Sequence, residues 1–122
     1  MYRATGDEAF KPVGETEFVN GIAAQSASGL YGQTRVAAAI VGTAPLSIGE
    51  PVRDVLEKHI ELGGGRFKGI RVGVTWDASP EVENHRTSPN PGILMDDKFR
   101  EGFAQLAKYD LSFEAWCYLS LI

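Results

Sequence analysis

Three times along this chain a helix-like segment is followed by an apolar run of strand length, and no other feature constrains the fold as much. A strand reached through a helix is delivered parallel to the previous one. The alternation therefore predicts a parallel sheet with crossover helices, an α/β fold. Strands of such a sheet are buried on both faces and read as near-continuous apolar runs. Segments 34–42, 66–74 and 111–122 have that character, the first two bounded by glycine or polar residues. The third, Leu111 to Ile122, has nothing after it to cover it or turn it back. A parallel sheet exposes such a strand only at a cost, so the expectation is a piece of a larger α/β protein, cut inside its fold.

The helix-like segments carry their own signals. Segment 15–28 places Phe18, Ile22 and Ala23 on one face, and Gly29 and Gly32 end it. Segment 50–62 has Pro51 in its first turn, where a missing N–H costs nothing. Val52, Val55, Leu56 and His59 then follow at i, i+3, i+4 and i+7, and Gly63, Gly64 and Gly65 stop the helix. The third helix is capped by Asp96 or Asp97 and carries Phe99, Gly102, Phe103, Leu106 and Ala107 on its inner face. Residues 1–14, polar and punctuated by Gly6, Pro12 and Gly14, read as a loop or ragged N-terminus. No linker or internal repeat is visible, so residues 1–122 read as one domain.

Composition narrows the function classes. A net charge of −4 and a pI near 5.1 leave no basic footprint for nucleic acid or an anionic membrane surface. Cys117 is the single cysteine, so no intrachain disulfide forms. No apolar run approaches the roughly 20 residues of a membrane span, and the opening residues lack a signal-peptide core. The default expectation is a cytoplasmic protein.

Parallel α/β folds bind ligands at the C-terminal ends of their strands. In the second strand Phe67, Gly69, Arg71 and Gly73 share one face, and Lys68, Ile70, Val72 and Val74 the other. In the last strand Phe113, Ala115, Cys117 and Leu119 face the helices. Ser112, Glu114, Trp116, Tyr118 and Ser120 face away and are polar for a buried strand. Arg71 and Tyr118 thus fall near strand ends. Arg71 reads either as a clamp for an anion or carbonyl, or as an ion-pair partner of Glu114. Tyr118 reads as a hydrogen-bond donor to a ligand or as a structural residue. Trp76 lines a pocket or, the preferred reading, anchors the loop that follows.

That loop, residues 75–95, gathers Asp77, Glu81, Glu83 and His85. Its spacing matches no standard metal motif, and its place after a strand makes it a candidate lid. His59 reads as a packing residue and Cys117 as a buried inert thiol. The three glycines lie after a helix and before a strand, the reverse of a phosphate-cradling order. No catalytic residue and no metal ligand is assigned to this chain.

Several stretches together resemble the amidohydrolase-related metal-dependent hydrolases of TIM-barrel fold, the group containing sugar-lactone and pyrone-dicarboxylate lactonases. They are residues 13–21 (Val-Gly-Glu-Thr-Glu-Phe-Val-Asn-Gly), Tyr31-Gly32, Thr34-Arg35-Val36-Ala37-Ala38, Ile40-Val41-Gly42, and residues 63–71 (Gly-Gly-Gly-Arg-Phe-Lys-Gly-Ile-Arg). Trp76-Asp77, Pro91-Gly92-Ile93-Leu94, residues 99–103 (Phe-Arg-Glu-Gly-Phe) and residues 111–118 (Leu-Ser-Phe-Glu-Ala-Trp-Cys-Tyr) complete the set. The resemblance covers nearly the whole chain and is spread out, with order and spacing agreeing throughout.

It implies a partial (β/α)8 TIM barrel, these being the third to fifth of eight strands. A full barrel takes about 250 residues. The family's His-x-His metal pair would lie before Met1, and its further histidine and late aspartate after Ile122. The histidines of this chain are His59 and His85. A divalent, zinc-like metal is thus implied for the full-length family and none for this chain. Many relatives have histidine where this chain has Thr43, Val72 and Leu119. Arg71 and Tyr118 match substrate-contacting positions of the lactonase branch. The implied function is a fragment of a hydrolase acting on a lactone or a related cyclic ester or amide, a small-molecule substrate, the chain alone being inactive. The alternative is a non-catalytic truncated product, or a partial barrel that self-associates through its open edges. An independent ligand-binding module using Arg71, Tyr118 and loop 75–95 ranks last.

Overall fold

In the computed structural model, which describes residues 1–82 and 89–118, three parallel strands form one open sheet in the order β1-β2-β3. The strands are β1 (Ile40–Gly42), β2 (Phe67–Gly73) and β3 (Ser112–Trp116). Helices alternate with them: α1 (Val13–Ala27) before β1, α2 (Val52–Leu62) before β2 and α3 (Asp97–Lys108) before β3. The expected parallel α/β alternation is therefore present.

The core lies between the helices and one face of the sheet. Ile40, Ile70 and Val74 from the strand segments meet Val13 of α1, Val52, Val55 and Leu56 of α2, and Phe99 and Leu106 of α3. α2 and α3 are amphipathic as their spacing predicts. Asp96, rather than Asp97, caps α3, its carboxylate accepting from the Phe99 N–H at 2.8 Å. Phe113 on β3 meets Phe99 and Phe103 edge-on, with ring centroids 6.4 and 5.0 Å apart, which places its side chain under α3 as the alternation predicts.

Five expectations are corrected. The first strand is only Ile40–Gly42, not 34–42. The preceding residues fold into a loop, because Ser26 Oγ donates to the Thr34 carbonyl and accepts from the Val36 N–H, each at 2.9 Å. Ala37, at φ 53, then turns the chain through the left-handed region, which no strand tolerates. The last strand is Ser112–Trp116, and positions 119–122 lie outside the described residues.

The buried face of α1 is Val13, Thr16, Ala23 and Ser26, while Phe18 and Ile22 are exposed. Hydroxyls decide this: Thr16 and Ser26 turn inward because each finds a hydrogen-bond partner there. Residues 1–14 are ordered structure. A 3₁₀ turn, Glu8–Phe10, is capped by Asp7, and the Arg3 N–H reaches the Lys11 carbonyl at 2.9 Å. Gly14 allows this, since a Cβ there would lie 2.8 Å from the Arg3 nitrogen.

Strict alternation along β2 also fails at one point. Ile40 pairs with Phe67 but Val41 pairs with Gly69, so β2 carries one extra residue, Lys68, against β1. The bulge leaves Lys68 exposed and lets both Phe67 and Ile70 be buried. From Gly69 onward β2 and β3 run in unbroken register, Gly69 against Ser112 through Gly73 against Trp116.

Candidate functional site

The unbroken register sets the site. Arg71 on β2 lies directly opposite Glu114 on β3, so their side chains leave the same face of the sheet. Arg71 Nε donates to Glu114 Oε2 at 2.8 Å, and Nη2 reaches the same oxygen at 2.5 Å. Trp116 follows Glu114 by one pleat, and its ring centre lies 5.7 Å from the guanidinium carbon. Trp116 is 60% exposed. A shallow hollow of about 340 Å³ is lined by Arg71, Glu114, Ala115, Trp116 and Cys117.

Both expected readings of Arg71 meet here. The ion pair with Glu114 is formed. It uses one edge of a fork that carries five N–H donors. The side chains are 55% and 41% exposed, so the pair stands in water-accessible space rather than in the core. An incoming carboxylate would compete with Glu114 for the same donors.

The other expected site residues are placed as follows. Tyr118 is half-buried, two residues past the end of β3. Trp76 is half-buried, three residues past the end of β2. The Val74 N–H donates to the Trp116 carbonyl at 2.8 Å, so the two strand ends stay paired just before these residues diverge. Neither Tyr118 nor Trp76 is among the described residues lining the hollow. Asp77 accepts from the Ser79 N–H at 2.8 Å and so shapes the loop's first turn. Glu83 and His85 lie outside the described residues. Among the described residues no three His, Cys, Asp or Glu side chains converge as a metal site would require. Cys117 is half-buried against the core.

The chain matches no family model, no curated protein and no solved structure. Among the described residues no helix is long and apolar enough to cross a membrane.

Among the described residues His59 is the one strongly perturbed titratable group. It is fully buried on α2, and burial lowers its pKa from 6.5 to about 4, against the opposing pulls of the Thr43 carbonyl and the Glu15 charge. Its ring is held by Thr16 and by the Thr43 carbonyl and turned away from the sheet's open face. It is a core residue, although its partners lie too far off in sequence for spacing to reveal them. Alternation along β3 placed Glu114 and Trp116 on one face; their shared contact with Arg71 depends on the β2–β3 register.

Proposed function

We propose that this chain is part of a metal-dependent hydrolase of the amidohydrolase type, acting on a lactone or related cyclic ester or amide. Its three strands would be a segment of a (β/α)8 barrel. The observation that carries this reading is the set Arg71, Glu114 and Trp116, held on the helix-free face of a parallel sheet, in the C-terminal halves of two adjacent strands. Barrels of this kind place ligand-binding side chains at that end. The resemblance in residues 63–71 and 111–118 falls on the same two strands.

In this reading Arg71 holds a carboxylate of the substrate, and the Trp116 ring packs against the substrate's flat face. Tyr118 donates a hydrogen bond from just past β3, and Trp76 anchors the chain as it leaves β2. Among the described residues no three His, Cys, Asp or Glu side chains converge to hold the divalent, zinc-like metal of this reading. In this reading the metal ligands lie on other strands of the barrel, and the chain by itself is expected to be inactive. A small-molecule substrate and a cytoplasmic setting belong to the same proposal; nucleic acid and membranes do not.

The test is the reading frame on either side of residues 1–122. An in-frame His-x-His strand before it and an aspartate-bearing strand after it are expected. Expression of the whole frame with added zinc should then hydrolyse carboxylated lactones, and Arg71→Met should raise KM. Stop codons on both sides, or hydrolysis by the 122-residue chain alone, would sink the proposal.

A second reading is a non-catalytic partial barrel that self-associates through its sheet edges. Val41 on edge strand β1 and Trp116 on edge strand β3 are 41% and 60% exposed, which favours it. Ala115→Lys, which puts a charge on β3, should abolish any such association.

A further inference from the structure

Between Glu17 and Glu50 the only charged residue is Arg35. Most of α1 lies in this stretch, and its apolar residues run around the helix instead of down one stripe. A helix of that kind is normally covered on all sides. The inward side of α1 is covered by α2 and β1. The outward side is not: Phe18 is 52% and Ile22 38% exposed. The loop that follows adds Leu30 at 83%, Tyr31 at 77% and Val36 at 53% exposed.

This loop is well braced. Ser26 pins it at Thr34 and Val36, and Arg35 Nη1 donates to the Gln33 carbonyl at 3.0 Å and the Gly32 carbonyl at 3.3 Å. The single charge is thus engaged by backbone oxygens. Beside Leu30 lies a hollow of about 230 Å³ lined by Ile22, Gln25, Ser26, Tyr31, Thr34 and Val36.

We propose that this carboxylate-free face joins two copies of the chain about a two-fold axis, with Leu30 of each copy seated in the other's hollow. Three observations select a second copy as the occupant. A two-fold interface brings one patch against itself, so the patch must carry both a projection and a recess, and here Leu30 and the hollow supply them. The chain carries a net charge of −4, so faces rich in carboxylates repel their own copies, whereas this face carries no carboxylate and its one cation, Arg35, is already engaged by backbone carbonyls. The exposed apolar side chains present roughly 600 Å² per copy, close to the ~800 Å² per partner of a standard interface. A membrane is disfavoured because the patch carries a single basic residue, Arg35, rather than the cluster of lysines and arginines that holds anionic lipid. This inference does not rest on the hydrolase reading. It concerns the α1 side of the molecule, next to β1, whereas the Arg71–Glu114 pair lies on β2 and β3.

Sedimentation velocity of the purified chain, from micromolar to near-millimolar concentration, tests it. A concentration-dependent dimer is expected. Ile22→Lys and Leu30→Asp should each weaken it at least ~tenfold while leaving the far-ultraviolet circular dichroism unchanged, as for centrally placed anchors. Ala115→Lys on the β3 edge should leave it intact. In a Cys117→Ser background, mixing Leu30→Cys with Thr34→Cys chains under mild oxidation should give the mixed disulfide. A chain that stays monomeric throughout overturns the proposal. So does a dimer, or an aggregate, that survives both α1-face substitutions or is lost only in Ala115→Lys.

Discussion

His59 accepts a hydrogen bond at Nδ1 from the hydroxyl of Thr16, 2.8 Å away and 43 residues distant in sequence. The direction follows from the other ring nitrogen. Nε2 lies 3.0 Å from the Thr43 carbonyl oxygen, which can only accept, so Nε2 carries the proton. The ring also stacks on Phe67, with centroids 4.7 Å apart and planes 9° from parallel. One neutral imidazole therefore ties α1, α2, β2 and the end of β1 together. Gly42 makes the room: a Cβ there would lie 3.0 Å from the Phe67 ring and 3.4 Å from both the His59 ring and the Thr16 hydroxyl.

Acid should loosen this joint. Burial holds the folded pKa of His59 near 4, below the ordinary 6.5. Above pH 6.5 the ring is neutral in both states and the stabilisation is complete. As pH falls below 6.5 the unfolded chain binds the proton and the folded chain does not, so stability drops until about pH 4, by about 3 kcal/mol. Urea unfolding of the chain and of His59→Phe through this window separates this effect from carboxylate titration. The difference in stability between the two should shrink as pH falls. A constant difference would refute the prediction.

Gly102→Ala should be severe. Gly102 is buried on α3 where the helix crosses the 3₁₀ turn Leu46–Ile48. A Cβ would stand 2.1 Å from the Leu46 carbonyl oxygen and 2.9 Å from its carbon, and these are backbone atoms that cannot swing aside. Helix propensity favours alanine by about 1 kcal/mol, but overpacking of this kind costs ~3 kcal/mol or more. The measured outcome should be a net loss of about 2 kcal/mol or greater in urea unfolding, or failure to fold. A neutral or stabilising result would show that α3 can shift.

How much of this was legible in the sequence depended on the range of the interactions. α2 and α3 follow directly from their apolar spacing, and parallel alternation follows from their order. Val36, Ala37, Ala38 and Ala39 are as apolar as a strand, so apolarity alone extends the first strand back to residue 34. Ser26, some ten residues upstream, captures that segment instead. The wrong face of α1 was expected because Phe18 and Ile22 are its largest apolar residues, while the hydroxyls of Thr16 and Ser26 decide which side turns in. The bulge at Lys68 has no local sequence mark; it exists only in the pairing of β2 with β1. At the site, period-two alternation puts Glu114 and Trp116 on one face of β3, but it groups Arg71 with the buried Phe67; the bulge at Lys68 is what turns Arg71 to the open face beside Glu114.

Gln105→Met should stabilise the protein. The Gln105 side chain is buried on α3, and Nε2 donates to the Glu101 carbonyl at 3.2 Å, but Oε1 is buried without a hydrogen-bond partner among the described residues. An unmet buried carbonyl costs about 1–3 kcal/mol, more than the single bond from Nε2 returns. Methionine has a similar length, fills the space and is a better helix former than most. A rise of ~1 kcal/mol in unfolding free energy is expected. A fall would mean that Oε1 finds a donor in solution, such as a trapped water.

The Arg71–Glu114 pair should contribute little to stability and much to recognition. Both side chains are about half exposed, so water screens the pair, and Glu114→Gln should change stability by less than ~1 kcal/mol. The same substitution removes the carboxylate that competes for the guanidinium. Binding of a carboxylated aromatic or lactone ring, followed by tryptophan fluorescence, should then tighten several-fold in Glu114→Gln and disappear in Arg71→Met. Trp116, 5.7 Å from the guanidinium, reports the event, so Trp116→Leu should remove the signal while Trp76 remains. Unchanged affinity in Glu114→Gln would mean that the ion pair is structural and that Arg71 is no clamp. Tighter binding would mean that Glu114 holds the guanidinium in place until a carboxylate replaces it.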